Sequence, residues 1–154
     1  MLYGELDDAR ASIKWIADQP EVDASNIFTF GHSAGGVISG LLSIYPDCGA
    51  KLTGSAGGLK GAELFEGKVP FDVNDDTEIR LRIVPPNANQ IKIKHIAYVG
   101  DQDVDVMRGA EKAKAEAAKT NAPLVIESVK GTHEEMLERA MLLYMMECKK
   151  AAGK

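Results

Sequence analysis

The 154-residue chain is poor in the residue types that mark the commonest specialised chemistries. It has two cysteines, Cys48 and Cys148, and no C-x-x-C pair. That excludes a disulfide-dense scaffold and leaves two thiols as the plain reading, with a long-range disulfide or a reactive thiol as alternatives. There is no H-E-x-x-H and no Cys/His cluster, so neither a metal nor a cofactor is expected. Positive charge is neither abundant nor gathered: 18 Lys and Arg face 23 Asp and Glu, for a net charge of −5. With no basic stripe, nucleic acid and anionic membrane are disfavoured as partners. No apolar run approaches the roughly 18 residues of a membrane span. The first residues lack the charged and apolar regions of a signal peptide, so the default expectation is a cytoplasmic location. The glycine-rich "GSAGGLKG" has neither P-loop spacing nor a clean G-x-G-x-x-G before a helix. It reads as a loop, or as small residues keeping a substrate channel open.

What is present is a globular mixture, 45% hydrophobic and 27% charged, long enough to bury a core without staples. One domain over residues 1–154 is expected. Apolar residues at Leu6, Ala9, Ile13, Ile16 and Ala17 predict a helix from Glu5 to Asp18. Ile27–Phe30 reads as a short buried strand and Ala34–Ile44 as a helix ended by Pro46. Lys51–Ser55 is a weaker strand. Residues 59–92 are irregular and read as a loop or small cap insertion, with a short helix near Asp76–Ile83. A strand at His95–Val99, a helix at Val104–Lys119, a strand at Leu124–Val129 and a helix at Glu134–Lys150 follow. Trp15, Phe28 and Phe30 are expected in the core. Strands alternating with helices predict an α/β fold: a three-layer sandwich whose short parallel sheet has about four strands.

Ligand sites in such sheets lie at the carboxyl ends of the strands. Those four positions hold "GHSAG", "GSAGG", "GDQD" and "KGTH". In the first, a strand turning directly into a helix forces the turning residue into a strained positive-φ conformation and projects its side chain off the sheet. Ser33 occupies that corner. Gly31 and Gly35 flank it, as expected where a Cβ two residues either side would collide, and Gly36 extends the close approach. The helix start places the Ala34 N–H and a partial positive charge where an oxyanion would develop.

Three histidines are available as a base. His32 abuts the serine, so its ring is expected to point elsewhere, as a packing residue under the corner. His95 opens a strand, the wrong end for a site. His133 follows the last strand by a short loop. For the acid, Asp101, Asp103 and Asp105 compete. Asp103 lies far enough round the turn to point back over the sheet edge, Asp101 suits a turn-stabilising role, and Asp105 looks like a helix N-cap. The catalytic set expected is Ser33, Asp103 and His133, with Asp103 orienting His133 and His133 taking the Ser33 proton.

"DDARASIKWIADQPEVDASNIFTFGHSAGG" resembles the helix, fifth strand and nucleophile elbow of α/β-hydrolases near the dienelactone hydrolase and prolyl oligopeptidase groups. "HIAYVGDQD" resembles their acid-bearing strand and turn, and "GTHEEM" their histidine loop. The order Ser, Asp, His is also theirs. The resemblance covers nearly all the chain but only the later half of the family fold. It implies Ser33 as nucleophile, Asp103 as acid, His133 as base and the Ala34 amide as one oxyanion donor.

The family's second oxyanion donor comes from an earlier loop, which nothing before Leu6 supplies; one lost donor costs about 10²–10³ in rate. The strand Ile27–Phe30 would be an edge. A homodimer or partner chain covering that edge is expected. Two readings stand: a serine hydrolase cleaving carboxyl esters or peptide-like bonds, or a catalytically weak remnant serving as a binding module.

Overall fold

The computed structural model describes residues 4–65, 69 and 71–153. A helix α1 (Glu5–Ala17) precedes β1 (Phe28–His32), α2 (Ala34–Leu42) and β2 (Leu52–Ala56). A short helix α3 (Asp76–Arg80) leads to β3 (His95–Gly100), α4 (Val104–Ala118), β4 (Leu124–Val129) and α5 (Leu137–Ala151). The strands form one parallel sheet in the order β1-β2-β3-β4. This is the expected layered α/β arrangement. The first three strands run one or two residues further toward their carboxyl ends than the sequence pattern suggests, and α5 starts three residues later than expected.

β3 shows why the sheet must be covered on both sides. Ala97 and Val99 join Val37 and Leu41 of α2 and Val106, Ala110 and Ala113 of α4 in one core. Ile96 and Tyr98, pointing the other way, join Ala140 and Tyr144 of α5. Alternate residues of a strand face opposite sides, so a strand apolar throughout needs a helix layer on each. A third cluster seats α1 through Ile13 against Ile27, Leu42 and Cys48. Trp15 is not core: it is 66% exposed. Two residues on a helix turn about 200°, so a helix seated through Ile13 carries Trp15 on the far side. Phe28 and Phe30 pack only partly buried against the α5 side. Cys48 and Cys148 are both free thiols.

The segment from 59 to 92 contributes more than loop. Ile83, Val84, Ala88 and Ile91 are buried, the last three within the α2–α4 core. Asn87 closes this stretch from inside, donating to the Arg80 and Ile83 carbonyls at 2.6 and 2.8 Å. The Ser43 carbonyl at the end of α2 accepts from both the Lys92 and Ile93 amides. Residues 66–68 and 70 of the expected loop or cap lie outside the described residues.

The corner between β1 and α2 is built from backbone packed on backbone. A Cβ on Gly31 would overlap the Gly35 carbonyl, and one on Gly58 would come within 2.6 Å of the Gly36 carbonyl carbon. A Cβ on Gly36 would meet the Gly31 oxygen at 3.0 Å and the Gly58 Cα at 3.1 Å. Around Gly35, by contrast, the space is open. The expectation that Gly35 is there for want of room is therefore corrected. The crowded positions are Gly31, Gly36 and Gly58, because the loop after β2, not only the corner itself, presses on α2.

Far from that corner, at the other end of the sheet, His95 is fully buried between two hydroxyls. Thr53 Oγ1 lies 2.8 Å from its Nδ1 and Ser55 Oγ 2.9 Å from its Nε2. A neutral imidazole has one donor and one acceptor nitrogen, and the hydroxyls can match either arrangement. Burial pushes its pKa down from 6.5 to about 3.

Gly31→Ala should lower the thermal midpoint by about 10 °C or more, whereas Gly35→Ala should leave it within a few degrees, both read by calorimetry. As pH falls from 6.5 toward 3, the unfolded chain takes up a proton at His95 that the folded chain refuses, so stability must drop across that window. The His95 ring resonance in NMR should show no titration between roughly pH 8 and 5; a midpoint within that range would contradict the buried neutral ring.

Candidate functional site

The strand ends meet along one rim of the sheet. Ser33 follows β1 with φ 52° and ψ −114°, the strained conformation expected of the corner. Its amide donates to the Ala56 carbonyl at the end of β2, 2.8 Å away. The next residue along that strand, Gly57, has φ +66° and lies against the His133 ring, so close that a Cβ there would overlap the ring's Cε1. Ser33 and His133 thus meet adjacent residues, Ala56 and Gly57, where β2 ends. The glycines of "GSAGGLKG" make room for both, Gly57 for the imidazole and Gly58 for α2, rather than merely filling a loop.

His133 is oriented by Asp103. Its Nδ1 lies 2.5 Å from Asp103 Oδ2, with both side chains largely buried at 22% and 10% exposure. The other ring nitrogen, Nε2, is buried and makes no hydrogen bond among the described residues. The tip of the loop is braced by Asp101, whose Oδ1 accepts from the Gly131 amide at 2.8 Å. That is the turn-stabilising role expected of it. Glu135 accepts from the Thr132 amide at 3.0 Å, and this backbone hydrogen bond chiefly holds its carboxyl below the ordinary range.

Asp103, not Asp105, caps α4. Its Oδ1 accepts from the Val106 amide at 3.3 Å while Oδ2 serves His133. Asp105 lies within the first turn, in an exposed pair with Arg108 at 3.7 Å. A carboxylate has two oxygens, so a single residue can cap a helix and orient a ring; the sequence offers two aspartates in suitable places and no means to see that one does both. His32 also departs from expectation. Its ring centre is 4.8 Å from that of His133, and its Nε2 is 3.0 Å from the His133 carbonyl oxygen. It ties the serine corner to the histidine loop instead of packing away from it.

Lys60 is not singled out by the sequence. Its Nζ donates to Ser33 Oγ at 3.2 Å. Its only signal in the sequence is its place just past the second of the four strand-end motifs. The Ala34 amide is at the first helical position of α2, where the N–H groups have no partner within the helix. Among the described residues, one group could hold a metal ion: His32, His133 and Glu134 offer donor atoms within 4.8 Å of one another. The surface hollow lined by Ala110, Lys114, Leu124 and Ile126 flanks α4 and contains none of these groups.

Chemically, the rim presents a hydroxyl at a helix N-terminus, an imidazole oriented by a carboxylate with one nitrogen unpartnered, and an ammonium on the hydroxyl. Among the described residues no helix is long and apolar enough to cross a membrane.

No protein-family profile matches the sequence, and no curated protein resembles it in sequence. In three dimensions it is similar to Porphyromonas gingivalis dipeptidyl peptidase 4, with a TM-score of 0.72 at 17% identity over 97% of this chain and 22% of that one. Pyrococcus horikoshii acylaminoacyl peptidase aligns with a TM-score of 0.67 at 14% identity, over 87% of this chain and 24% of that one. Acetyl xylan esterase 1 from Thermoanaerobacterium aligns with a TM-score of 0.59 at 18% identity, over 93% of this chain and 52% of that one. The chain therefore spans between about a fifth and a half of the length of these proteins. The four-stranded parallel sheet, its helices and these likenesses together identify the fold as that of the α/β-hydrolases, of which the chain spans a part.

Proposed function

We propose that the chain is a serine hydrolase that cleaves carboxyl ester or peptide-like bonds through an acyl-enzyme on Ser33. The observation that carries this reading is the His133–Asp103 pair. A carboxylate 2.5 Å from Nδ1 fixes the ring, and its Nε2 is left buried and unpartnered beside the strained serine corner. A buried ring nitrogen without a partner is costly and calls for an explanation, and a catalytic role is one that fits its place here. The strand–turn–helix corner at Ser33 acts as a nucleophile elbow, and Ser33, His133 and Asp103 as a triad. Support also comes from the three-dimensional neighbours, which are named as peptidases and an esterase.

Ser33 Oγ attacks the substrate carbonyl as His133 Nε2 takes its proton. Asp103 keeps the proton on Nδ1 and offsets the charge of the imidazolium. The tetrahedral oxyanion meets the Ala34 amide at the positive end of α2. His133 then returns its proton to the leaving group, and water repeats the sequence to free the acid. In the resting geometry Ser33 Oγ accepts from Lys60 and makes no hydrogen bond to His133 Nε2. Catalytic hydrogen bonds of this kind commonly tighten only when substrate binds.

That resting geometry favours one other reading, a catalytically weak chain that binds without turnover. A fluorophosphonate probe separates the two. Wild type should be labelled and Ser33→Ala should not; a folded wild type that resists labelling supports the binding module. With short nitrophenyl esters, His133→Gln and Asp103→Asn should each lower kcat by about 10³-fold or more, because the base is lost in one and left in the wrong tautomer in the other. A loss below about tenfold in either variant would count against the triad.

A further inference from the structure

We propose that Lys60 is a catalytic residue of this acyl transfer, its ammonium stabilising the oxyanion opposite the Ala34 amide. The inference rests on the serine hydrolase reading and adds a residue to it.

Lys60 is held in place from behind. Leu59 is fully buried in the core, and its carbonyl packs so tightly on Gly109 of α4 that a Cβ there would overlap it. Gly58 is seated with similar closeness on Gly36 of α2. The two residues preceding Lys60 are thus clamped between the helix that begins at Ser33 and the helix that begins beyond Asp103. From this base the partly buried Lys60 side chain reaches Ser33 Oγ at 3.2 Å.

No carboxylate pairs with Lys60 among the described residues, and described acids of this stretch and of the rim are engaged elsewhere. Glu63 pairs with Lys112 at 2.9 Å, and that hydrogen bond is the main cause of its lowered pKa. Asp103 serves His133, Asp101 braces Gly131, and Glu134 faces His32 at 3.9 Å. A partly desolvated cation favours whatever negative charge forms beside it. The atom it touches is the one that attacks.

The hydrogen-bond directions agree. An ammonium can only donate, so Ser33 Oγ accepts from Lys60 and keeps its own proton for another acceptor. His133 Nε2 is the buried acceptor left without a partner. When the Oγ–C bond forms, the hydroxyl proton passes to Nε2 and the carbonyl π pair moves to oxygen. That oxygen is two bonds from Oγ, within reach of Lys60 Nζ and the Ala34 N–H. When the oxyanion collapses, the C–X bond breaks and X takes the proton from His133. Atoms and charge balance with only substrate and water.

The test uses two nitrophenyl esters, one neutral and one with a carboxylate on its acyl chain, with wild type, Lys60→Met, Lys60→Arg and Ser33→Ala. Lys60→Met should lower kcat by about 10²–10³-fold on both esters with KM changed less than about threefold, the split expected of a group acting in the transition state. Lys60→Arg should restore part of that loss, and fluorophosphonate labelling should slow in parallel. Circular dichroism and the thermal midpoint control for folding. Unchanged kcat on the neutral ester, or an effect confined to KM for the anionic one, overturns the inference while Ser33-dependent turnover leaves the hydrolase reading intact. A folded wild type that neither turns over nor is labelled overturns both.

Discussion

Everything at the rim depends on backbone meeting backbone without side chains between. The turn from β1 into α2 brings Gly31 against Gly35, and the chain leaving β2 brings Gly58 against Gly36. Gly31, Gly36 and Gly58 leave no room for a Cβ, and through them the ends of β1 and β2 are seated together on the start of α2. Interiors are close-packed and repack poorly, so a displacement at any one of these glycines moves the others. The strain at Ser33, with φ 52°, is maintained by this packing and by the hydrogen bond that the Ser33 N–H donates to the Ala56 carbonyl.

Electrostatics at the rim follows from what each helix start supplies. α2 begins at the serine and leaves its first amides without partners inside the helix. α4 begins at Asp103, which satisfies its own helix with one oxygen and the imidazole with the other. Positive potential therefore gathers at the serine, while the carboxylate that orients the ring is committed twice. Lys60 adds a full charge to the same place. At the opposite end of the sheet, His95 shows the contrary arrangement: a fully buried imidazole kept neutral and occupied on both nitrogens by hydroxyls.

The second half of the segment between β2 and β3 is better described as core than as ornament. Val84, Ala88 and Ile91 fill space beside α2 and α4, and Asn87 satisfies carbonyls that a regular helix would have paired along its own backbone. A stretch with two prolines and three amide side chains gives no periodic signal, because its burial comes from irregular turns, not from a repeating face. That is why it is invisible to pattern reading although its side chains are as buried as those of the strands.

By itself the amino-acid order determined the layered α/β class, the sequence of helices and strands and, to within two residues, the positions where strands end. These depend on local periodicity and on glycine and proline, which act within a few residues. It also singled out Ser33, Asp103 and His133, because a parallel sheet sends every strand end to one side. Only the tertiary structure decided which glycines are crowded, that Trp15 faces outward, that Asp103 rather than Asp105 caps α4, that His32 joins the histidine loop and that Lys60 reaches the serine. Most of these are contacts between segments distant in the chain, and no short-range pattern encodes the distance between two side chains once the sheet has formed.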